Sequence, residues 1–458
     1  MRISVRRDSR SLLNWTLAVA VLITLCVAFQ QQYRSRIKQD FNDFDRWMTM
    51  SPAWLGGETT YLDDKLPTPP ISWLLLGPMT KIPRPTAQFL WVTIKLPLAA
   101  LVFILSAAIV KRAGGQWSPT ALVLILVGWW LPVVVDMQEG QMNFFALLPL
   151  VAGLYVAQQD SPAADVGAGL LIGLGVAIKV TPVIFLAYFL WKRRWRVTAA
   201  GIVSVALGLF VVPMAVFGWA QNIRWLADWT SVMIVPYLTR GHIVYASTQS
   251  VGSFAVRLLT ATPAFEIHRD GVLEHGYVNI AELSSTVAQL IARIAMTAVA
   301  VGGLVWTRRP LETLRSRRYV LEIGAVAAFM LWFSERTWVH HYVSFILTLS
   351  AAGMMLSDPS LHEASRWRLK ASLIVFAVAT LLTSEAGRLL GPHGVEWAKA
   401  AGAYLWPSVL VTMAAITAAI PSNSTVPSSL LVLRDAHARN LGPRPVGTVN
   451  FGAQNLEP

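Results

Sequence analysis

Long, almost charge-free apolar blocks recur along this chain, and they restrict its fold more than any motif does. They lie near residues 12–29, 86–110, 118–135, 143–158, 163–179, 180–191, 197–217, 283–306, 319–334, 338–356, 370–386 and 400–420. An α-helix needs roughly 20 apolar residues to cross a bilayer. The fourth to sixth blocks are short, so about ten to twelve spans are expected. One globular core has no use for this much apolar surface. Of the 458 residues 55% are hydrophobic and only 14% are charged, against about 25% charged in a soluble domain. The fold class is therefore an all-α polytopic membrane protein.

The net charge of +13 would suggest nucleic acid in a soluble protein. Here the basic residues cluster between apolar blocks, at Lys111-Arg112, Lys192 to Arg196, Arg308 to Arg318 and Arg366 to Lys370. All fall on the same side of the predicted spans as the N-terminus, which the positive-inside rule makes cytoplasmic. No basic face is laid out on a soluble module, so no nucleic-acid partner is expected. Both termini are then inside. Cys26 is the single cysteine, which excludes an intrachain disulfide and a multi-cysteine metal site. The block from Leu12 to Phe29 follows Arg2, Arg6, Arg7 and Arg10 and runs for 18 residues. A cleaved signal has an apolar region of ~7–15 residues, so an uncleaved span is expected.

The domain reading is a basic cytoplasmic N-terminus over 1–11, a transmembrane region over 12–420 and a disordered cytoplasmic tail over 421–458, rich in Ser, Pro, Asn and Gly. Two outer loops, about 30–85 and 218–282, are too long to be turns, and loops of that length are usually functional. Trp219 to Trp229 and Ile71 to Met79 read as short interfacial helices within them.

The polar residues that stand out lie at outer boundaries. Asp40, Asp43 and Asp45 fall within six residues of one another, just after the first span. A carboxylate there can act as general base toward an acceptor hydroxyl; helix capping is the ordinary alternative. Lys179 ends the run from Ala163, and sixteen residues at ~1.5 Å each place it about 24 Å across, near the outer face. A charge at that depth suits an anionic lipid phosphate, with snorkelling to the interface as the alternative. Gly169 and Gly173 in the same run fit close helix packing, since no strand precedes them as a nucleotide fingerprint requires. Asp136-Met-Gln-Glu139-Gly140-Gln141-Met-Asn143 offers amides for sugar hydroxyls, or a plain turn. Arg336 precedes His340-His341, and adjacent helical histidines point about 100° apart, which disfavours a shared metal. Arg240 and Thr248-Gln249-Ser250 form a further polar cluster. Walker, H-E-x-x-H and G-x-S-x-G motifs are absent.

In order along the chain, Asp43-Phe44-x-x-Trp47, Leu55-Gly56-Gly57, Tyr61, Pro69-Pro70 and Gly140-Gln141-x-Asn143 are followed by Ala177-Ile-Lys179-x-Thr181-Pro182. Arg193-Arg194-Trp195, Gln249-Ser250 and His340-His341 complete the series. This series, over roughly 10–350, resembles glycosyltransferase family 87, which includes polyprenyl-phosphate-mannose-dependent mannosyltransferases and related arabinofuranosyltransferases. Trp47 stands where the family usually has Tyr, and Pro67-Thr68-Pro69-Pro70 where it has Tyr-Pro-Pro. The resemblance implies a GT-C bundle in the bacterial inner membrane with its active site facing the periplasm. It also implies transfer of a hexose, most often mannose, or a pentose from a polyprenyl-phosphate donor to a glycolipid or glycan hydroxyl, with inversion. By position Asp43 is the base, with Asp45 in reserve. Lys179, Arg336 and one of His340 or His341 hold the donor phosphate, and Gln141, Asn143, Gln249 and Arg240 contact substrate. No metal or other cofactor is implied, because a polyprenyl phosphate leaves as a stable anion. A multi-span lipid flippase or transporter is the alternative; such proteins tend to show two similar halves, which this chain does not. A scaffold, the third reading, explains neither Lys179 nor the acid-rich loop.

Overall fold

The computed structural model describes residues 42–55, 67–239, 244–269, 272–334, 336–391 and 393–420. The predicted first span, Cys26, Asp40, Gly56, Gly57, Tyr61, Arg240 and the tail from 421 lie outside these residues.

Helix α1 (Asn42–Leu55) is followed by a chain of short helical turns over 70–81, and then by α2 (Arg84–Arg112), α3 (Pro119–Glu139), α4 (Asn143–Ala157), α5 (Pro162–Ile178) and α6 (Val183–Trp191). Helix α7 (Trp195–Ala206) continues through a π-turn at Leu207–Val211 into Val212–Phe217, and α8 (Trp219–Trp229) occupies the segment read as an amphipathic helix. After α9 (Val251–Leu259) comes a hairpin of β1 (Phe265–Arg269) and β2 (Val272–Gly276), and then α10 (Ser285–Thr307) and α11 (Arg317–Phe333). A 3-10 turn at Val339–Phe345 leads into α12 (Ile346–Leu356), followed by α13 (Glu363–Leu382), α14 (Gly394–Ala400) and α15 (Leu405–Ala418).

Local sequence explains the helix ends. Ser118 and Ser161 accept hydrogen bonds from the backbone of Ala121 and Ala164 at 3.3 and 3.2 Å. Each is followed by a proline in the first turn, where a missing N–H costs nothing. Gly140 closes α3 in the left-handed region at φ 67°.

By length and composition five helices are able to cross a membrane: Arg84–Arg112, Pro119–Glu139, Trp195–Phe217, Ser285–Thr307 and Val339–Leu356. A sixth is formed if α14 and α15, bent by 50°, count as one. Helices α4 and α5 are apolar but shorter, at 15 and 17 residues, and α6 has only 9. The chain is thus an all-α polytopic membrane protein, and the hairpin β1–β2 is the departure from helix among the described residues. It pairs Phe265 with Gly276, and the Phe265 ring packs edge-on to Trp397 of α14, 4.9 Å between centroids.

Helix α5 runs between α4 and α7, and glycines on both sides bring the backbones close. A Cβ at Gly169 or Gly173 would collide with the carbonyls of Val197 and Gly201. One at Gly175 would lie 2.7 Å from the Ala146 carbonyl oxygen, and one at Gly153 2.8 Å from that of Ala168. Small residues here let backbones meet directly. All four basic clusters gather at one end of the bundle. There Arg194 pairs with Asp160 at 2.6 Å, Arg112 donates to the Tyr155 carbonyl at 3.0 Å, Lys192 pairs with Glu322 at 2.7 Å and Arg366 donates to the Asp358 carbonyl at 2.9 Å. The C-terminus of α3, the N-terminus of α4 and Lys179 lie at the other end. The 21 residues of α3 separate the two ends by about 31 Å at ~1.5 Å per residue, close to a bilayer's hydrocarbon thickness.

Candidate active site

Helix α1 places two acids in its first turn, Asp43 and Asp45, on either side of Phe44. Phe44 is fully buried and tilts against Trp91 of α2 at 5.0 Å between centroids. Trp91 in turn donates from its indole nitrogen to the Gly140 carbonyl at 2.7 Å. Gly140 has no room for a side chain: a Cβ there would run into the Cβ of Phe44 and come within 3.3 Å of its backbone nitrogen. This close approach fixes α1 against the α3–α4 junction.

The two acids meet different neighbours as a result. The Asp43 carboxylate, 7% exposed, accepts a hydrogen bond from the Gln141 side-chain amide and pairs with Arg46 one turn along α1. Asp45 accepts from Gln88 with both oxygens at 2.8 Å and pairs with the Arg84 Nε at 2.8 Å. It ties α1 to α2.

Two residues past Gln141, Asn143 is the centre of a second group. Its Nδ2 donates to Asp136 Oδ2 at 2.8 Å and to the His340 carbonyl at 3.1 Å. Its Oδ1 accepts from Lys179 Nζ at 2.5 Å. The amide has one orientation that serves all three partners. Lys179 follows the last residue of α5 in extended backbone and is 8% exposed. Behind this group, Lys95 Nζ lies 2.6 Å from Asp136 Oδ1 and donates to the Asp136 carbonyl at 2.7 Å. Both side chains are fully buried.

The histidines sit on the 3-10 turn at Val339–Phe345, their rings 4.3 Å apart. Trp129 of α3 holds that turn by donating to the Val343 carbonyl at 2.8 Å. His341 Nδ1 accepts from the Trp338 backbone N–H at 2.9 Å, so the ring proton belongs on Nε2. His341, Lys179 and Asn143 line one cleft of about 420 Å³, its open mouth included, together with Ser334, Thr337 and Ser344. The rest of the lining is apolar, including Leu147, Leu150 and Leu331. Asp43 is not in that lining; its partner Gln141 lies two residues before Asn143, which is. Arg336 is half-buried on the loop before the histidines and does not line it.

Gln249 belongs to the protein scaffold. Its backbone N–H donates to the Thr337 carbonyl at 2.7 Å and its own carbonyl accepts from Tyr342 Oη at 3.1 Å. Its side chain donates to the carbonyls of Ala246 and Lys399 at 2.7 and 2.8 Å and accepts from the Tyr404 backbone at 3.2 Å. The loop bearing the histidines is thereby clamped on both sides. Sequence reasoning missed Lys95. Its signal was a lone cation midway along an apolar helix, where charge is costly and functional by default. Among the described residues no three His, Cys, Asp or Glu side chains gather as a metal site.

The sequence profile of glycosyltransferase family 87 matches residues 68–334, more than half of the chain. The chain belongs to this family. Curated relatives of this family-87 chain include a polyprenol-phosphate-mannose-dependent alpha-(1-2)-phosphatidylinositol mannoside mannosyltransferase of Mycobacterium tuberculosis, 22% identical over 81% of this chain and 84% of the relative. The protein of the same description from Mycolicibacterium smegmatis is 24% identical over 80% and 81%. No solved structure matches the chain.

Proposed function

We propose that this family-87 chain transfers mannose from a polyprenyl-phosphate donor to a hydroxyl of a glycolipid, at the outer face of the bacterial inner membrane. The observation that carries this reading is the link between an acid and a buried cation from distant segments. Asp43 contacts Gln141, Lys179 contacts Asn143, and those two amides lie two residues apart. The names of the two mycobacterial relatives support the donor and an acceptor of the phosphatidylinositol mannoside kind. The gathering of the basic clusters at the opposite end of the bundle supports an outward-facing site.

The chemistry then assigns roles. Asp43 takes the proton of an acceptor hydroxyl, whose oxygen attacks the anomeric carbon. The bond from that carbon to the phosphate oxygen breaks on the opposite face, so one displacement inverts the centre. Lys179 Nζ and His341 Nε2–H receive the departing phosphate and stabilise its growing charge. The apolar side of the cleft suits the first isoprenoid units behind the phosphate. Because the leaving group is already a stable anion met by these cationic and N–H donors, the reaction is proposed to need no metal.

The test is transfer of label from radiolabelled polyprenyl-phosphate mannose to glycolipid in proteoliposomes, with and without EDTA. Asp43→Asn is expected to slow transfer by about 10²-fold or more, the scale of losing a general base, and EDTA to change nothing. Equal rates for wild type and Asp43→Asn remove Asp43 from the base role. A wild type that turns over no such donor but moves lipid across vesicles replaces the reading with a flippase.

A further inference from the structure

The buried pair behind Asn143 has no place in the chemistry above, and its charge balance is unusual. Lys95 and Asp136 are fully buried, and Lys179 is 8% exposed. Among the described residues Asp136 is the carboxylate within ion-pair distance of Lys95, and none lies that close to Lys179. Two lysines against one aspartate leave one positive charge at the wall of the cleft. A buried ion is tolerated when paired, and a lone one demands a counter-ion. Asp136 also has two tasks at once, since one oxygen faces Lys95 and the other accepts from the Asn143 amide whose carbonyl holds Lys179.

We propose that Lys95 and Asp136 are a positioning pair that keeps the Lys179 charge free for an anion. Asp136 orients Asn143, which aims the Lys179 ammonium into the cleft. Lys95 neutralises Asp136, so that this carboxylate does not draw Lys179 away or cancel its field. The inference rests on Lys179 holding the donor phosphate and adds the reason why that lysine is available.

Charge arithmetic makes the pair testable. Lys95→Met leaves Asp136 to compensate Lys179, so the site falls from one positive charge to none. Asp136→Asn leaves two cations, and Lys95→Met with Asp136→Asn restores one. The four forms of the full chain, in detergent, are compared by direct binding of radiolabelled polyprenyl phosphate and by the donor KM and kcat. Lys95→Met is expected to weaken polyprenyl phosphate at least tenfold and to raise the donor KM accordingly. The double variant is expected to return to within about threefold of wild type, and Asp136→Asn to bind at least as tightly as wild type with a slower kcat. A pair that only fills space predicts the opposite, with the double variant weakest. A double variant no better than Lys95→Met overturns the proposal. If Lys95→Met does not elute as a folded species, Asp136→Asn decides, and a tenfold loss of binding there overturns it. A wild type that binds polyprenyl phosphate but transfers no sugar defeats the glycosyl-transfer reading, while the order of binding still tests the pair.

Discussion

Two glycines share a backbone conformation and differ in surroundings, which allows the contact under Phe44 to be measured. Gly140 has φ 67° and Gly114 has φ 72°. Alanine in the left-handed region costs about 1–2 kcal/mol. At Gly114 nothing lies within 4 Å of the added Cβ, so Gly114→Ala is expected to lose only that amount. At Gly140 the methyl meets Phe44, whose side chain is fully buried under Trp91. Forcing a methyl into a packed site adds about 1–3 kcal/mol. The sum for Gly140→Ala is about 2–5 kcal/mol. Since Phe44 adjoins Asp43, α1 must shift to make room, and a displacement near 1 Å can cost about 10²-fold in rate. Thermal unfolding in detergent and initial rates of mannosyl transfer, run on both variants, separate the two contributions. Gly114→Ala should transfer at the wild-type rate. If Gly140→Ala unfolds and transfers like Gly114→Ala, the Phe44 contact does not position the acid.

Three further outcomes follow from the same geometry. Gln249→Ala should lower the unfolding midpoint and kcat together, because it takes the side-chain partner from the Ala246 carbonyl and the Tyr404 N–H, at about 1–3 kcal/mol each; a change confined to KM would make it a substrate contact instead. Asp45→Asn should reduce stability and leave the rate of the surviving folded fraction within a few-fold of wild type, which a rate loss equal to that of Asp43→Asn would contradict. The third concerns Asp358. Burial raises its carboxyl, but hydrogen bonds from Ser360 and the Arg317 guanidinium outweigh that and hold it below the ordinary carboxylate value. A depressed carboxylate adds stability above the unfolded value, near ~3.9, and loses it as pH falls through the folded one. Wild-type stability should therefore drop on acidification below about pH 4 more steeply than that of Asp358→Asn; parallel curves would rule the contribution out.

The helical membrane class was readable because apolar blocks of span length report burial directly. The packing role of Gly169 and Gly173 was readable too, since an apolar helix with glycines four apart and no preceding strand leaves few other uses for them. The segments around Asp43, Gln141, Asn143, Lys179 and His341 were also legible as polar residues at the ends of apolar runs. What the sequence could not display was direction. Gln249 and Asn143 look alike as isolated amides, yet one is consumed by three backbone partners and the other faces the cleft. Asp43 and Asp45 are separated by one residue and by function-relevant company, because successive positions on a helix point about 100° apart. Lys95 lies within the apolar run of α2 rather than at its end, and its partner Asp136 comes from a different helix, so no local pattern joins them. The hairpin over Phe265–Gly276 has a local sequence signal, Asp270-Gly271 between β-formers.

The glycine seam along α5 has a mechanical consequence. At Gly169 and Gly173 helix α5 meets the main chain of α7 with only small side chains alongside, so little there can yield to absorb an added group. Gly173 lies six residues before Lys179, about 9 Å along the axis at ~1.5 Å per residue. A methyl at Gly173 would collide with the Gly201 carbonyl, and the room α5 must then find lies on the same helix that ends at the cation.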